Sequence, residues 1–345
     1  MSSSVKRLAT VLTALVVLAG GAVALATAAS AAVSGTLTIT NADAAPGNAR
    51  VVLNRIQTPA STSQRFHDKT TVNLKNTGTS SLTVSSLAAA GPFTATSPYQ
   101  LPFKLVAGQS VNVTVQFTAQ SGSWSAGNLA IGSTSSTGAS TNVALAGYWQ
   151  KYSEHNLEPS LSSLVSNFGY QTVMPTSSYS RGAYAKFSSD EVLSPYWTLL
   201  DASKTASVTQ LAAWHGYPSS GTFRTYPKGT PATYTTRLTS LNVDAQSALP
   251  RNSAWGKGTA TFQPSGVFGL ILDKEFSDPT LNDQTPDRAA GCTSAQCGQH
   301  VRVFQLRNAS GATVPGSYLI SNDIGGINYD FQDNVYLVEG ITPAA

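Results

Sequence analysis

Alternation of apolar and polar residues dominates the first half of the chain. Thr71-Val72-Asn73-Leu74-Lys75 points Val72 and Leu74 one way, a turn follows at Asn76-Thr77-Gly78-Thr79, and Leu82-Thr83-Val84 resumes the pattern. That order is a hairpin signature. After a second turn at Ala107-Gly108-Gln109, the run Val111 to Phe117 alternates without a break, which predicts one buried face and one wet one. Asn128 to Ile131 and Thr141 to Leu145 continue in kind. About seven short strands with turns every ~8–12 residues predict an immunoglobulin-like β-sandwich over residues 32–149.

The pattern changes near Gly147-Tyr148-Trp149. Leu157, Leu161, Leu164, Val165 and Phe168 fall at helical spacing, behind Glu158-Pro159 and ahead of Gly169, so one short helix is expected over Glu158 to Asn167. Strands then return at Val208 to Trp214, Gly221 to Tyr226, Gly258 to Phe262, Val267 to Leu272, Val301 to Leu306, Ser317 to Asn322 and Asn334 to Val338. They predict a second, jelly-roll-like β-sandwich over residues 150–345. The fold class is mainly β, in two domains, with no internal repeat between the halves.

The start of the chain adds a compartment. Lys6-Arg7 precedes an apolar run from Leu8 to Leu25, and Ala29-Ser30-Ala31 supplies the small residues of a signal peptidase site. Residues 1–31 are read as a signal peptide, cleaved after Ala31, in preference to an uncleaved membrane anchor. No later stretch has the ~20 apolar residues that span a bilayer. Losing Lys6 and Arg7 lowers the formal charge from +4 to +2. With basic residues scattered, nothing here forms the dense cationic face that nucleic acid requires. Charged residues make up 11% of the chain, well below the ~25% common in globular proteins, and Ser, Thr, Gly and Asn fill the deficit. A secreted protein, extracellular or held at the cell wall, is the expectation.

Two families come into view from longer stretches. VNLKNTGTSSLTVSSLAAAGPF, LPFKLVAGQSVNVTVQF and NVALAGYW resemble the bacterial branch of the ASH (Hydin-type) immunoglobulin-like family, met in choice-of-anchor secreted proteins. The resemblance implies a structural or adhesive spacer without an active site. GYWQKYSEHNLEPSLSSLVSNFGYQT, DEVLSPYW, FGLILDKEFSDPTLN, CGQHVRVFQLRN and GINYDFQDNVYLVEGI resemble a C-terminal region of large secreted bacterial proteins that carry malectin-like or sugar-dehydrogenase-like domains. This second resemblance implies context and no mechanism.

Candidate chemistry is sparse. Cys292 and Cys297 are read as a local disulfide, the rival being a metal site for which only His300 lies near. Asp273, Glu275, Asp278 and Asp283 follow one strand, and Asp323, Asp330 and Asp333 flank Gly325-Gly326-Ile327-Asn328-Tyr329. Calcium takes six to eight oxygen ligands, so Asp273, Asp278, Asn328, Asp330 and Asp333 are the candidate set for a structural calcium ion; the alternative is that they cap turns. Trp214, His215, Tyr217, Trp255 and Tyr329 are the candidate ligand-binding residues, because sugars stack on exposed rings; the alternative is core packing, the expected role of Trp197. No nucleophile elbow, zinc-protease helix or phosphate loop occurs. His155 with Glu154 and Glu158 is the nearest approach to an acid–base set, and a carboxylate pair such as Asp190 or Glu191 with Glu275 is the form a hydrolase would take. The expected function is non-catalytic recognition of extracellular or cell-envelope glycans, the first sandwich serving as spacer. The alternatives are an adhesive protein that binds another protein, and an unrecognised glycoside hydrolase.

Overall fold

A computed structural model describes residues 35–59, 61–65, 67–175 and 181–344. Residues 1–31, read as a signal peptide, lie outside the described residues. Among the described residues, strands account for 47% and helices for 6%.

Nine strands come first: β1 (Leu37–Asn41), β2 (Arg50–Thr58), β3 (Lys69–Asn76), β4 (Leu82–Ala90), β5 (Phe93–Thr96), β6 (Phe103–Leu105), β7 (Ser110–Phe117), β8 (Trp124–Ser135) and β9 (Gly138–Tyr152). They form two sheets, β1-β3-β7-β5 and β2-β9-β8-β4-β6, facing each other in an immunoglobulin-like sandwich. The alternation in β7 does what its pattern implies: Val111, Val113, Val115 and Phe117 are buried between the sheets, with Val72 and Leu74 of β3 beside them.

The hairpin expected across Asn76–Thr79 does not form. β3 pairs with β1 and β7, whereas β4 pairs with β6 and β8 in the opposite sheet. The turn carries the chain across the core because Asn76 is buried there with its amide fully used. Its Nδ2 donates to the Ser80 and Leu105 carbonyls (2.8 and 3.0 Å), and its Oδ1 accepts from Thr36 and Gly78 (3.1 and 3.0 Å). Gly78 permits the close crossing, since a Cβ there would stand 2.6 Å from the Thr36 nitrogen.

One helix, α1 (Leu161–Asn167), leads out of the first sandwich. It begins three residues later than its periodicity suggested, because Ser160 caps it by accepting from the Ser163 amide. The second sandwich holds β10 (Trp197–Leu199), β11 (Ala206–Trp214), β12 (Thr222–Pro227), β13 (Thr235–Thr239), β14 (Gln246–Ala248), β15 (Thr259–Phe262), β16 (Phe268–Leu272), β17 (Glu275–Phe276), β18 (Val301–Arg307), β19 (Thr313–Asn322), β20 (Asn334–Glu339) and β21 (Ile341–Pro343). All seven strands read from the sequence are present, and a second helix, α2 (Thr285–Ala289), accompanies them. The sheets are β13-β12-β16-β10-β21, with β17 against β16, and β14-β11-β20-β19-β18, with β15 against β11. Trp197, Phe223, Leu270, Ile320, Tyr336 and Val338 fill the space between them.

The two sandwiches share a core. β2 and β9 run parallel, Arg50 opposite Ala144 through Thr58 opposite Tyr152, and both are buried on two faces. Val51, Leu53, Val143 and Leu145 point into the first sandwich. Val52, Ala146 and Tyr148 point the other way, into a cluster with Leu161, Leu164 and Phe168 and with Leu211, Trp214, Phe304 and Leu319 of the second sandwich. Residues 34–345 accordingly make one compact unit, and residue 149 lies inside β9 rather than in a linker. The first sandwich is a wall of the second, not a spacer standing off from it. Among the described residues no helix is long and apolar enough to cross a membrane.

Candidate binding groove

The loop between β14 and β15 turns back on itself at Asn252. Its Oδ1 accepts from the Ala254 and Gly256 amides (3.0 and 2.9 Å), and its Nδ2 donates to the Lys257 carbonyl (2.8 Å). At the tip stands Trp255, held at a positive φ of 66° and 64% exposed. One face of the indole is covered by the Arg251 guanidinium, 4.7 Å from the ring centroid. Arg251 is fixed in turn: its Nε and Nη2 grip Asp244 at 2.9 and 2.6 Å, and Asp244 is fully buried. Such a ring is a rigid platform, braced from behind.

The platform borders a groove of about 320 Å³ between the sandwiches, reached by Asp43 and Arg65 from one side and by Thr209, Arg251 and Lys257 from the other. A second hollow of about 250 Å³ adjoins it, sharing Asp43, Thr209 and Thr259 and ending at Tyr170 and Glu339. A relay of hydrogen bonds ties the walls together. Arg65 donates to Asp244 (3.4 Å), to the Leu249 carbonyl (2.6 Å) and to His67 Nδ1, and His67 Nε2 meets Asp43 (3.2 Å). Burial and the adjacent Arg65 charge keep the His67 pKa below its ordinary value, against the pull of Asp43. Neutral His67 therefore accepts from Arg65 and donates to Asp43. Burial works against the Asp43 carboxylate, but its bonds to His67 and Thr70, with the Arg65 charge, leave its pKa lowered.

The other candidate ligand residues lie elsewhere. Trp214 is 1% exposed, its Nε1 donating to Gln150 (3.0 Å), so it packs the shared core and presents no ring face to solvent. His215 and Tyr329 are buried as well, and Tyr217 is half-buried, its hydroxyl 3.0 Å from that of Ser63. Of the five, Trp255 alone offers an open face. Arg65, Asp244 and Arg251, which sequence reasoning missed, form its support; Arg65 lies far from the other two in the chain, and none of the three carries a motif.

The calcium set is not brought together as a cage; its carboxylates accept from backbone amides and side chains of the protein. Asp273 accepts from the Thr222 amide and from Asn322 and Asn334 (2.8, 3.1 and 2.8 Å). Asp278 caps a short 3₁₀ turn and accepts from Tyr196 (2.6 Å). Asp333 accepts from the Ile324 amide (2.6 Å), and Asp330 from Asn328 and Gln332 (2.7 Å each). Among the described residues no group of three His, Cys, Asp or Glu is placed to hold a metal ion. The carboxylates suggested for a hydrolase are separated too: Asp190 pairs with Arg307, Glu191 with Arg302, and Glu275 with His300. Cys292 and Cys297 do form a disulfide, closing a loop packed on Ala183 and Phe187.

His300 joins Glu275 (2.6 Å) to Asp287 (3.1 Å) in a fully buried cluster. Burial opposes its charge, yet the bond to Glu275 and the two negative charges leave its pKa raised. Asp333 is pushed up to about 8, by burial and then, against its bond to the Ile324 amide, by the charges of Asp323, Asp330 and Asp273. Both shifts act in one direction. A raised histidine contributes stability that is whole below about pH 6.5 and lost as pH rises through its folded value. A raised carboxyl binds its proton more tightly when folded, so ionising it up to about pH 8 also destabilises the fold. The thermal midpoint should therefore fall between pH 6.5 and pH 9, and Asp333→Asn should flatten the decline; a midpoint that rises over that interval contradicts the assignment.

No protein-family profile matches this chain, and no curated protein matches it. Solved structures provide remote likenesses. A protein of unknown function from Porphyromonas gingivalis W83 is 13% identical over 35% of this chain and 50% of its own, with a TM-score of 0.26. The ASH/PapD-like domain of human CEP192 is 12% identical over 34% of this chain and 87% of its own, TM-score 0.25. The YadV chaperone is 10% identical over 81% of this chain and 96% of its own, TM-score 0.25. This chain thus spans half the length of the first of these structures. The resemblance of the second half to regions that accompany malectin-like domains finds no support among them. None is close enough for its function to bear on this protein.

Proposed function

We propose that this is a secreted, non-catalytic binding protein whose ligand is an extracellular or cell-envelope glycan, held against Trp255 and along the groove between the two sandwiches. The observation that carries the reading is the indole itself: 64% exposed, fixed at the tip of a braced turn, stacked on Arg251 and lining the groove. A large apolar side chain left in water beside a polar concavity is what sugar stacking requires. Preorganisation by Asn252 and Asp244 means that little freedom is lost when a ligand arrives. Export rests on Lys6-Arg7, the apolar run and Ala29-Ser30-Ala31.

The test is an array of neutral and acidic cell-envelope glycans probed with the whole exported chain, followed by titration of each hit. Trp255→Ala is expected to weaken binding by about tenfold or more, the loss usual for a central aromatic anchor. Silence across the array, or a Trp255→Ala protein that binds as tightly as the parent, would remove the reading.

A further inference from the structure

The turn that carries Trp255 sets two like charges side by side at its base. Arg251 and Lys257 face each other as an isolated antiparallel bridge, and Asn252 Nδ2 fixes the Lys257 carbonyl (2.8 Å). Residues directly opposite in such a bridge hold their side chains on one face, with Cβ atoms about 4.5–5.5 Å apart, and like charges there repel. Both line the groove beside Trp255, as does Arg65. Arg65 and Arg251 draw on the single buried carboxylate of Asp244. Burial lowers the Arg65 pKa; the Asp244 charge opposes that fall and the Arg251 charge adds to it. Lys257 is exposed and belongs to no ion pair among the described residues.

Hydrogen bonding is left open on the same wall. Arg251 spends its backbone amide, Nε and Nη2 on Asp244, and among the described residues Nη1 has no acceptor. Gln210 also lines the groove and is 1% exposed; its Nε2 donates to Asn334 (2.7 Å), while its buried Oε1 has no donor. Charge is distributed unevenly along the length. The hollow at Trp255 is lined by three cations, Arg65, Arg251 and Lys257, and by one carboxylate, Asp43, which His67 holds at 3.2 Å. The adjoining hollow is lined by Asp43 and Glu339 and by no cation.

Resting on the glycan reading above, we propose that the groove selects an anionic sugar, whose carboxylate or phosphate is read at the Trp255 end by Lys257 together with Arg251. An anion there accepts from the ammonium and from the unspent guanidinium nitrogen, at the roughly 2.7–2.9 Å of charge-assisted hydrogen bonds. It also removes the repulsion across the Arg251–Lys257 bridge, which a neutral sugar leaves in place. Sugar hydroxyls bring the donor that Gln210 Oε1 lacks. Asp43 and Glu339 repel an anion from the second hollow, so the charged residue of the ligand belongs beside Trp255.

The test is isothermal titration of the whole exported chain with two matched pairs: trigalacturonate against its methyl ester, and mannobiose 6-phosphate against mannobiose. At least one acid should bind about tenfold or more tightly than its neutral counterpart, the worth of a charge-assisted hydrogen bond. The pair that shows the larger ratio identifies carboxylate or phosphate as the group. Lys257→Glu should erase the preference and Lys257→Arg should keep it, neither lowering the thermal midpoint, because the side chain is exposed. Raising salt from about 0.05 to about 0.5 M should weaken the acid and leave its neutral counterpart unchanged. Acid and neutral sugar bound alike in both pairs, a preference that survives Lys257→Glu, or silence of both acids would overturn the inference. Neutral glycans that still bind, and still depend on Trp255, would in each of those cases leave the glycan reading standing.

Discussion

Trp214→Ala is expected to cost about 4 kcal/mol of folding stability, enough to consume much of the ~5–15 kcal/mol that a folded protein has in hand. The indole lies where β11, α1 and β9 meet, edge-on to Tyr148 at 6.1 Å and within the cluster that joins the sandwiches. Removing it opens a cavity that residues from both halves would have to collapse to fill, and it strands the buried Gln150 Oε1 that accepted its N–H. Because the cluster is common property, both sandwiches should unfold together at a lower urea midpoint. The same change at Trp255 should move stability by no more than about 1 kcal/mol, since that ring packs against little beyond Arg251. Urea titrations followed by far-ultraviolet circular dichroism separate the two cases. A Trp214→Ala protein within about 1 kcal/mol of the parent would mean that the shared core is not what binds the halves.

The second large effect belongs to Asp244. It is fully buried, and it accepts from the Arg251 amide (2.7 Å), from both arms of the Arg251 guanidinium and from Arg65. Asp244→Ala leaves two guanidinium groups facing each other without the charge between them. Breaking one partner of a buried ion pair costs about 3–5 kcal/mol; the lower end is expected here, because the Arg65 and Arg251 side chains keep 17% and 28% exposure and can turn toward water. The loss should appear twice, as a lower unfolding midpoint and as weaker glycan binding once Arg251 no longer braces Trp255. In a double-mutant cycle with Arg251→Ala, the coupling should exceed about 1 kcal/mol. Additive effects would show that Asp244 supports the fold without supporting the platform.

Particular residues show how far the chain could be read unaided. The seven strands of the second half, α1 and the Cys292–Cys297 bridge were legible because each is written in neighbouring residues, as an alternation, a 3.6-residue rhythm or a short loop. β2 was not. Its Arg50-Val51-Val52-Leu53 run has no period, for one face belongs to the first core and the other to the shared one. β10, β14, β17 and β21 were missed because strands of two or three residues are too short to show a pattern. Trp255 was named as a candidate beside Trp214; Trp214 ends the apolar run Leu211-Ala212-Ala213 whereas Trp255 follows Asn252 and Ser253, and that contrast does not say which ring another surface will cover.

The order of residues alone determined that this chain would bury alternating faces in layered sheets, that its cysteines would pair, and that it would carry few charges. Those are local or compositional properties, settled within a few residues of each other. Tertiary structure decided everything that depends on distance in sequence. It buried one tryptophan and exposed the other, set Arg65 against Asp244, and drew Glu154 and Glu158 to Gln246. The reason is physical: burial and charge pairing depend on which surfaces meet, and β2 and β9 each turn one face to the first core and the other to the shared one.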